Sequence, residues 1–221
     1  MRVEHLTKRY GPVTALDGVT FSVRPDEILG LIGPNGSGKT TLFECLGGVL
    51  PFDSGRIAPR LDASGQPLMF YLPDGISPWP DQTVRWMLDF AVEFFGGDTA
   101  LRPSVVSRLR LDPFFDQPIQ TLSKGQRKRA LLAAGLLTPH RILLADEPFD
   151  GLDLRQAREA AALLRDTTAR GRTLFLSIHQ ISDAARVCDR FVLLSAGRVC
   201  GEGTLDEFGS RDLEEVFLAV T

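Results

Sequence analysis

The spacing of apolar positions changes along this chain, and each change marks a different kind of element. From 2 to 24, apolar and polar residues alternate in two runs broken by Tyr10-Gly11-Pro12. Period-two alternation belongs to half-buried strands, so this start predicts a small antiparallel β element, with Leu16–Val23 as one strand. Ile28-Leu29-Gly30-Leu31-Ile32 is a continuous apolar run, which suits a strand buried on both faces. A helix-like run, Thr41–Leu46, follows it. Phe52–Ile57 reads as a turn feeding a strand, and Leu68–Leu72 as a further strand ending at Pro73-Asp74-Gly75.

Between about 76 and 137 the period becomes helical. Val84, Met87, Leu88, Ala91, Phe94 and Phe95 recur at helix spacing within Thr83–Phe95, and helices are also predicted over Pro103–Leu111 and Arg127–Leu137. We therefore expect a helical subdomain over 76–137, inserted into an α/β core made of 1–75 and 138–221. Past Pro139, Arg141–Ala145 and Thr173–Ile178 read as strands with an amphipathic helix, Arg155–Arg170, between them. Phe191–Ser195 and Arg198–Cys200 predict a hairpin turned by Ala196-Gly197, and Asp212–Val220 a closing helix.

One junction carries chemistry. Between the apolar strand and the first helix stands Gly33-Pro34-Asn35-Gly36-Ser37-Gly38-Lys39-Thr40-Thr41, which fits the phosphate-cradle pattern G-x-x-x-x-G-K-[ST]. Glycines let successive backbone N–H groups curl around an anion. The following helix adds the positive end of its dipole. Lys39 supplies a compact point charge, and the Thr40 hydroxyl suits Mg²⁺. Lys8, Lys39, Lys124 and Lys128 are the only lysines in a chain with 25 Lys+Arg, so a sequence that otherwise uses arginine keeps lysine in the cradle.

A second constellation completes a phosphate site. Ile142-Leu143-Leu144-Ala145 ends in Asp146-Glu147, an apolar strand delivering two acids. Asp146 is expected to support Mg²⁺, and Glu147 to polarise an attacking water. His5 and His140 have no supporting context. Lys124, Arg127, Lys128 and Arg129 form a basic cluster whose charges are expected to be solvated or paired rather than to bind nucleic acid.

Composition narrows the class. A chain of 221 residues with 43% hydrophobic and 24% charged residues can bury a sizeable core as one domain or as a core with a subdomain. A net charge of −3 argues against bulk nucleic-acid binding. Met1–His5 is polar and leads straight into folded-looking sequence, so a secretory leader is not expected. No apolar stretch reaches the roughly 18 residues of a spanning helix. Cys45, Cys188 and Cys200 lack metal spacing and are expected to be core fillers in a reduced, cytosolic protein.

Leu122-Ser123-Lys124-Gly125-Gln126 resembles the LSGGQ signature of the ATP-binding cassette (ABC) family, with Lys124 in place of the first glycine. The likeness runs the length of the chain in family order. Tyr10 sits where the family stacks an aromatic ring on adenine. Asp150-Gly151-Leu152-Asp153 resembles its D-loop, and His179 its switch histidine at the γ-phosphate. The resemblance implies an α/β P-loop NTPase (RecA-like) core with an N-terminal antiparallel β subdomain and an inserted α-helical subdomain. It implies ATP and Mg²⁺ as ligands and a head-to-tail pair, in which Ser123, Gly125 and Gln126 of one subunit face the γ-phosphate on the other. One departure is Asp74, which stands where the family carries a glutamine or glutamate between Mg²⁺ and the helical subdomain; the resemblance makes it a third metal residue with Thr40 and Asp146, reached by the loop moving in or through water.

The resemblance further implies an ATPase subunit docked on separately encoded integral membrane subunits, cytoplasmic and peripheral on the inner face of the cell membrane. The pair is a homodimer or a heterodimer. Trp79, Trp86 and Phe90 are the candidate dock, and Leu213–Phe217 resembles exporter-type cassettes. The alternative is a soluble ABC-type ATPase of a cytosolic assembly system. A DNA-repair member is excluded, because Lys39 and Ser123 are only 84 positions apart, too close for a coiled-coil arm.

Overall fold

The computed structural model describes residues 1–179, 181–208 and 215. The closing helix expected over 212–220, and Leu213–Phe217 within it, lie outside the described residues apart from Glu215.

The alternating N-terminal runs pair as β1 (Arg2–Tyr10) and β2 (Val13–Ser22). With β4 (Ser54–Ala58) they form a three-stranded antiparallel sheet in the order β2-β1-β4. The continuous apolar runs form the second sheet. These are β3 (Ile28–Ile32), β5 (Met69–Leu72), β6 (Ile142–Asp146), β7 (Thr173–Ser177) and β8 (Arg190–Ser195), with β9 (Arg198–Gly203) at one edge. The order is β5-β6-β7-β3-β8-β9, parallel throughout except for the final β8–β9 hairpin.

This sheet is covered on both faces, which explains why its strands read as unbroken apolar runs. Ile28, Ile32, Leu143, Ala145, Leu174 and Leu176 face a core shared with helices α2 (Val84–Phe95), α3 (Arg102–Arg108), α4 (Lys124–Leu137) and α5 (Leu154–Ala169). Leu29, Leu31, Ile142, Leu144 and Phe175 face a second core shared with α1 (Lys39–Leu46) and the antiparallel sheet. A short helix, α6 (Ile181–Val187), precedes β8. The described residues thus form the mixed α/β architecture expected.

Local chemistry sets several boundaries. Helix α4 starts three residues before the expected Arg127. Ser123 Oγ accepts from the Gln126 N–H, and Gln126 Oε1 accepts from the Ser123 N–H at 2.8 Å, a reciprocal cap. Asp153 and Gln156 cap α5 in the same way. Cys45 and Cys188 are buried as expected, but Cys200 is exposed, because it lies on the outer strand β9.

Candidate active site

Parallel strands point their carboxyl ends the same way, so β3, β5, β6 and β7 deliver their following residues to one edge of the sheet. Register fixes which residues meet there. Asp146 pairs with Ser177 across β6 and β7, Leu31 pairs with Ser177 across β3 and β7, and Leu72 pairs with Ala145 across β5 and β6. The glycine-rich loop, Asp146-Glu147, Ser177-Ile178-His179 and Pro73-Asp74 therefore share that edge.

The loop is open at its tip and closed at its base. Pro34, Asn35 and Gly36 are exposed, whereas Ser37 and Lys39 are buried. Gly38 has φ +103°, and a Cβ there would lie 2.6 Å from the Ala15 carbonyl, so only glycine lets β2 press against the loop. Ser37 Oγ is buried with no hydrogen-bond partner among the described residues, an unmet polar atom that suits a cradle for phosphate oxygens. Lys39 Nζ donates to the Gly33 and Pro34 carbonyls at 2.8 and 3.2 Å. Burial lowers the Lys39 pKa from its ordinary value, and the charges of Glu147 and Asp146 partly offset this. Thr41 follows Thr40 into the first turn of α1.

A hydrogen-bonded chain links the loop helix to the strand ends. Thr40 Oγ1 donates to Asp146 Oδ2 at 3.0 Å, and Ser177 Oγ donates to Asp146 Oδ1. The Glu147 N–H donates to Ser177 Oγ at 3.0 Å and to the Ser177 carbonyl at 3.2 Å. Glu147 has φ +48°, a left-handed backbone that costs a side-chain-bearing residue about 1–3 kcal/mol and persists where the surroundings dictate it. The hydroxyl of Thr40 and the carboxylate of Asp146 are hard oxygen donors at one point, a set that fits Mg²⁺ completed by phosphate and water.

His179 is exposed just past β7. With Glu147, Asp150, Gly151 and Ser177 it lines a cavity of about 180 Å³. Tyr10 stands exposed where β1 meets its turn, with Lys8 Nζ 5.5 Å from the ring centroid. Asp74 Oδ1 pairs with Lys128 Nζ at 2.6 Å, and the carboxylates of Asp74, Glu147 and Asp150 each offer an oxygen within 4.8 Å of the others.

Ser123, Gly125 and Gln126 sit at the start of α4, away from α1. A Cβ on Gly125 would lie 2.5 Å from the Gly151 carbonyl, whereas Lys124 points outward to pair with Asp150. This explains why the first signature glycine is replaceable here and the second is not. Two further participants escaped sequence reading. Ser177 reads only as a polar end to an apolar strand. Lys128 and Arg129, read within a solvated or paired cluster, are both buried. Arg129 Nη1 donates to the Leu109 carbonyl at 2.9 Å, and Lys128 is tied to the site itself.

A phosphate loop after the central parallel strand β3, joined through Thr40 to the acidic end of β6, the strand beyond β7 in the sheet, defines a P-loop nucleoside triphosphatase. The ABC transporter family model matches residues 16–150, and the chain belongs to that family; it is an ABC ATPase. The Nod factor export ATP-binding protein I of Ralstonia nicotianae is 32% identical, over 96% of this chain and 70% of that protein. The protein of the same name from Rhizobium etli is 31% identical, over 96% and 72%. The solved ATP-binding subunit of an ABC transporter superposes with a TM-score of 0.89 at 26% identity, covering 99% of this chain and 98% of that one. Among the described residues, no helix is long and apolar enough to cross a membrane.

Proposed function

We propose that this chain is the ATP-hydrolysing subunit of an ABC transporter, working as a head-to-tail pair around two ATP and driving export through separately encoded membrane subunits. The observation that carries the reading is the Thr40–Asp146–Ser177–Glu147 chain of hydrogen bonds. It joins the phosphate loop to Glu147, the carboxylate that acts on water in this reading.

Gly33 to Thr41 bind the triphosphate, with backbone N–H groups and Lys39 balancing its charge, and Tyr10 stacks on the base. Thr40 and Asp146 hold Mg²⁺, which, when bound, neutralises phosphate charge. Glu147 orients the attacking water and accepts its proton, while His179 contacts the γ-phosphate. Ser123, Gly125 and Gln126 of a second subunit close the site. In that reading 1–75 and 138–221 form the nucleotide-binding core and 76–137 the helical subdomain.

An exposed aromatic row supports a docking role for the helical segment. Trp86, Phe90 and Phe94 follow one another at i, i+4 along α2, with ring centroids 5.3 and 5.0 Å apart, and Trp79 lies 4.8 Å from Phe90. Trp79, Trp86 and Phe94 are 43, 37 and 69% exposed. Contiguous exposed aromatics mark interaction surfaces. Export rests on the names of the relatives given above.

The test has two parts. ATPase activity per molecule should rise with protein concentration, since one copy lacks the partner's signature residues; a strictly constant specific activity rules out the pair. Tagged chain pulled from detergent-solubilised membranes should bring a polytopic membrane protein with it. Recovery with soluble partners alone favours the cytosolic assembly ATPase.

A further inference from the structure

Lys128 does something that the phosphate-site reading leaves unassigned. It lies in the second turn of α4, and its side chain is only 9% exposed. A buried ammonium without partners is costly, and this one uses all three of its protons. Lys128 Nζ donates to the Asp146 carbonyl at 3.0 Å and to the Glu147 carbonyl at 2.8 Å, and it pairs with Asp74 Oδ1 at 2.6 Å. Those acceptors come from the end of β6 and the loop after β5. One cation on the signature helix thus binds the backbone that carries Glu147 and the loop that carries Asp74.

We propose that Lys128 is a positioning residue for Glu147 and that Asp74 is its counterion. The proposal rests on the reading of Glu147 as the group that acts on water. The left-handed backbone at Glu147 is held from two sides: Ser177 accepts from its N–H, and Lys128 donates to its carbonyl. Removing the ammonium takes a donor from the Asp146 carbonyl and leaves the Glu147 carbonyl to the Asp150 N–H at 3.1 Å, which loosens the hold on the left-handed backbone at Glu147. Removing the Asp74 charge leaves the ammonium without a counter-charge and weakens its hold on the same carbonyls. The loop after β5 and the signature helix are therefore joined through this ammonium to the backbone of the reacting carboxylate. A movement of either is felt at Glu147, which lets the placement of the helical segment regulate turnover.

The test compares Lys128→Met, Asp74→Asn, Asp74→Glu and the double variant Lys128→Met/Asp74→Asn with the full wild-type chain. Turnover, KM for ATP and binding of a fluorescent ATP analogue are read together. Lys128→Met keeps the apolar stem. It should lower kcat about 10- to 100-fold, the scale of a small misplacement of a catalytic group, while KM and analogue binding stay within about threefold. Asp74→Asn should lower kcat in the same sense, and Asp74→Glu should recover most of that loss. The double variant should be no worse than Lys128→Met alone, because both act on one contact.

Wild-type kcat in Lys128→Met overturns the proposal, and so do multiplicative losses in the double variant. If Lys128→Met fails to fold, the Asp74 pair decides: equal damage from Asn and Glu overturns it, and recovery by Glu supports it. Glu147→Gln is run alongside. Wild-type turnover in that variant overturns the underlying role of Glu147. A dead Glu147→Gln beside an unaffected Lys128→Met overturns the role of Lys128 alone.

Discussion

At the carboxyl edge of the parallel sheet, Thr40, Asp146, Ser177 and Glu147 are bonded to one another, and Lys39 and Lys128 direct their ammonium groups at backbone carbonyls. Along the outer face of α2 the opposite holds. Trp86, Phe90 and Phe94 stack on one another, and the outer two, Trp86 and Phe94, are exposed to water. Ser37 Oγ aside, the polar groups named in the first region meet one another, so binding requires little rearrangement of the strand ends. The second leaves apolar surface unmet, so its energy is available to whatever covers it. The difference separates the geometry of the strand ends, which a single chain preorganises, from an apolar face that a single chain leaves uncovered.

The largest effects should come from breaking the polar region. Glu147→Gln keeps the side-chain shape and loses the base, so turnover should fall by about 10²–10⁴-fold while ATP binding survives. Lys39→Ala should instead abolish nucleotide binding, measured by titration with a fluorescent analogue. A Glu147→Gln variant that neither binds nor hydrolyses, or one that hydrolyses normally, removes the division of labour between these residues.

Core packing beneath the site comes next. Leu143 is fully buried in β6, so Leu143→Ala should cost about 2–5 kcal/mol in chemical denaturation. Trp86→Ala on the exposed row should cost no more than about 1 kcal/mol and leave the ATPase of the isolated chain intact. It should nevertheless reduce recovery of membrane partners in the pull-down. A large stability loss in Trp86→Ala places that ring in the core and ends the comparison.

The smallest effect concerns His140. Its ring lies 5.3 Å from Phe70 and 5.4 Å from Phe95, and its Nδ1 is buried without a partner among the described residues. Burial, and then the charge of Arg172, hold its pKa below the ordinary value. The folded chain therefore binds fewer protons here than the unfolded one. Its contribution is fully present above about pH 6.5 and is lost as pH falls toward the folded pKa. His140→Phe should flatten the fall in Tm between about pH 7.5 and 5.5 by roughly 2 °C relative to wild type. An unchanged pH profile means that His140 carries a proton in the fold.

Much of this molecule is legible in one dimension because the relevant distances are short along the chain. The period-two and continuous apolar runs became β1, β2, β3, β6 and β7, and helix spacing over 83–95 became α2, with Thr83 as its cap. The spacing from Gly33 to Thr40 is likewise a local property of eight residues. Boundaries shifted where side chains capped the backbone, as Ser123 and Gln126 did for α4.

Sequence by itself thus determined the element types, the phosphate loop and the acidic strand end, since period and spacing are covalent facts. Only the tertiary structure decided that Ser177 would bridge Asp146 and Glu147, because that contact depends on the register between β6 and β7. It also decided that Lys128 would be a buried tether while Lys124, four residues earlier, remained at the surface with Asp150. Four residues are about one helical turn, so both lie near the same side of α4, and only the depth to which the sheet edge covers that side separates a solvated charge from one that holds the active site together.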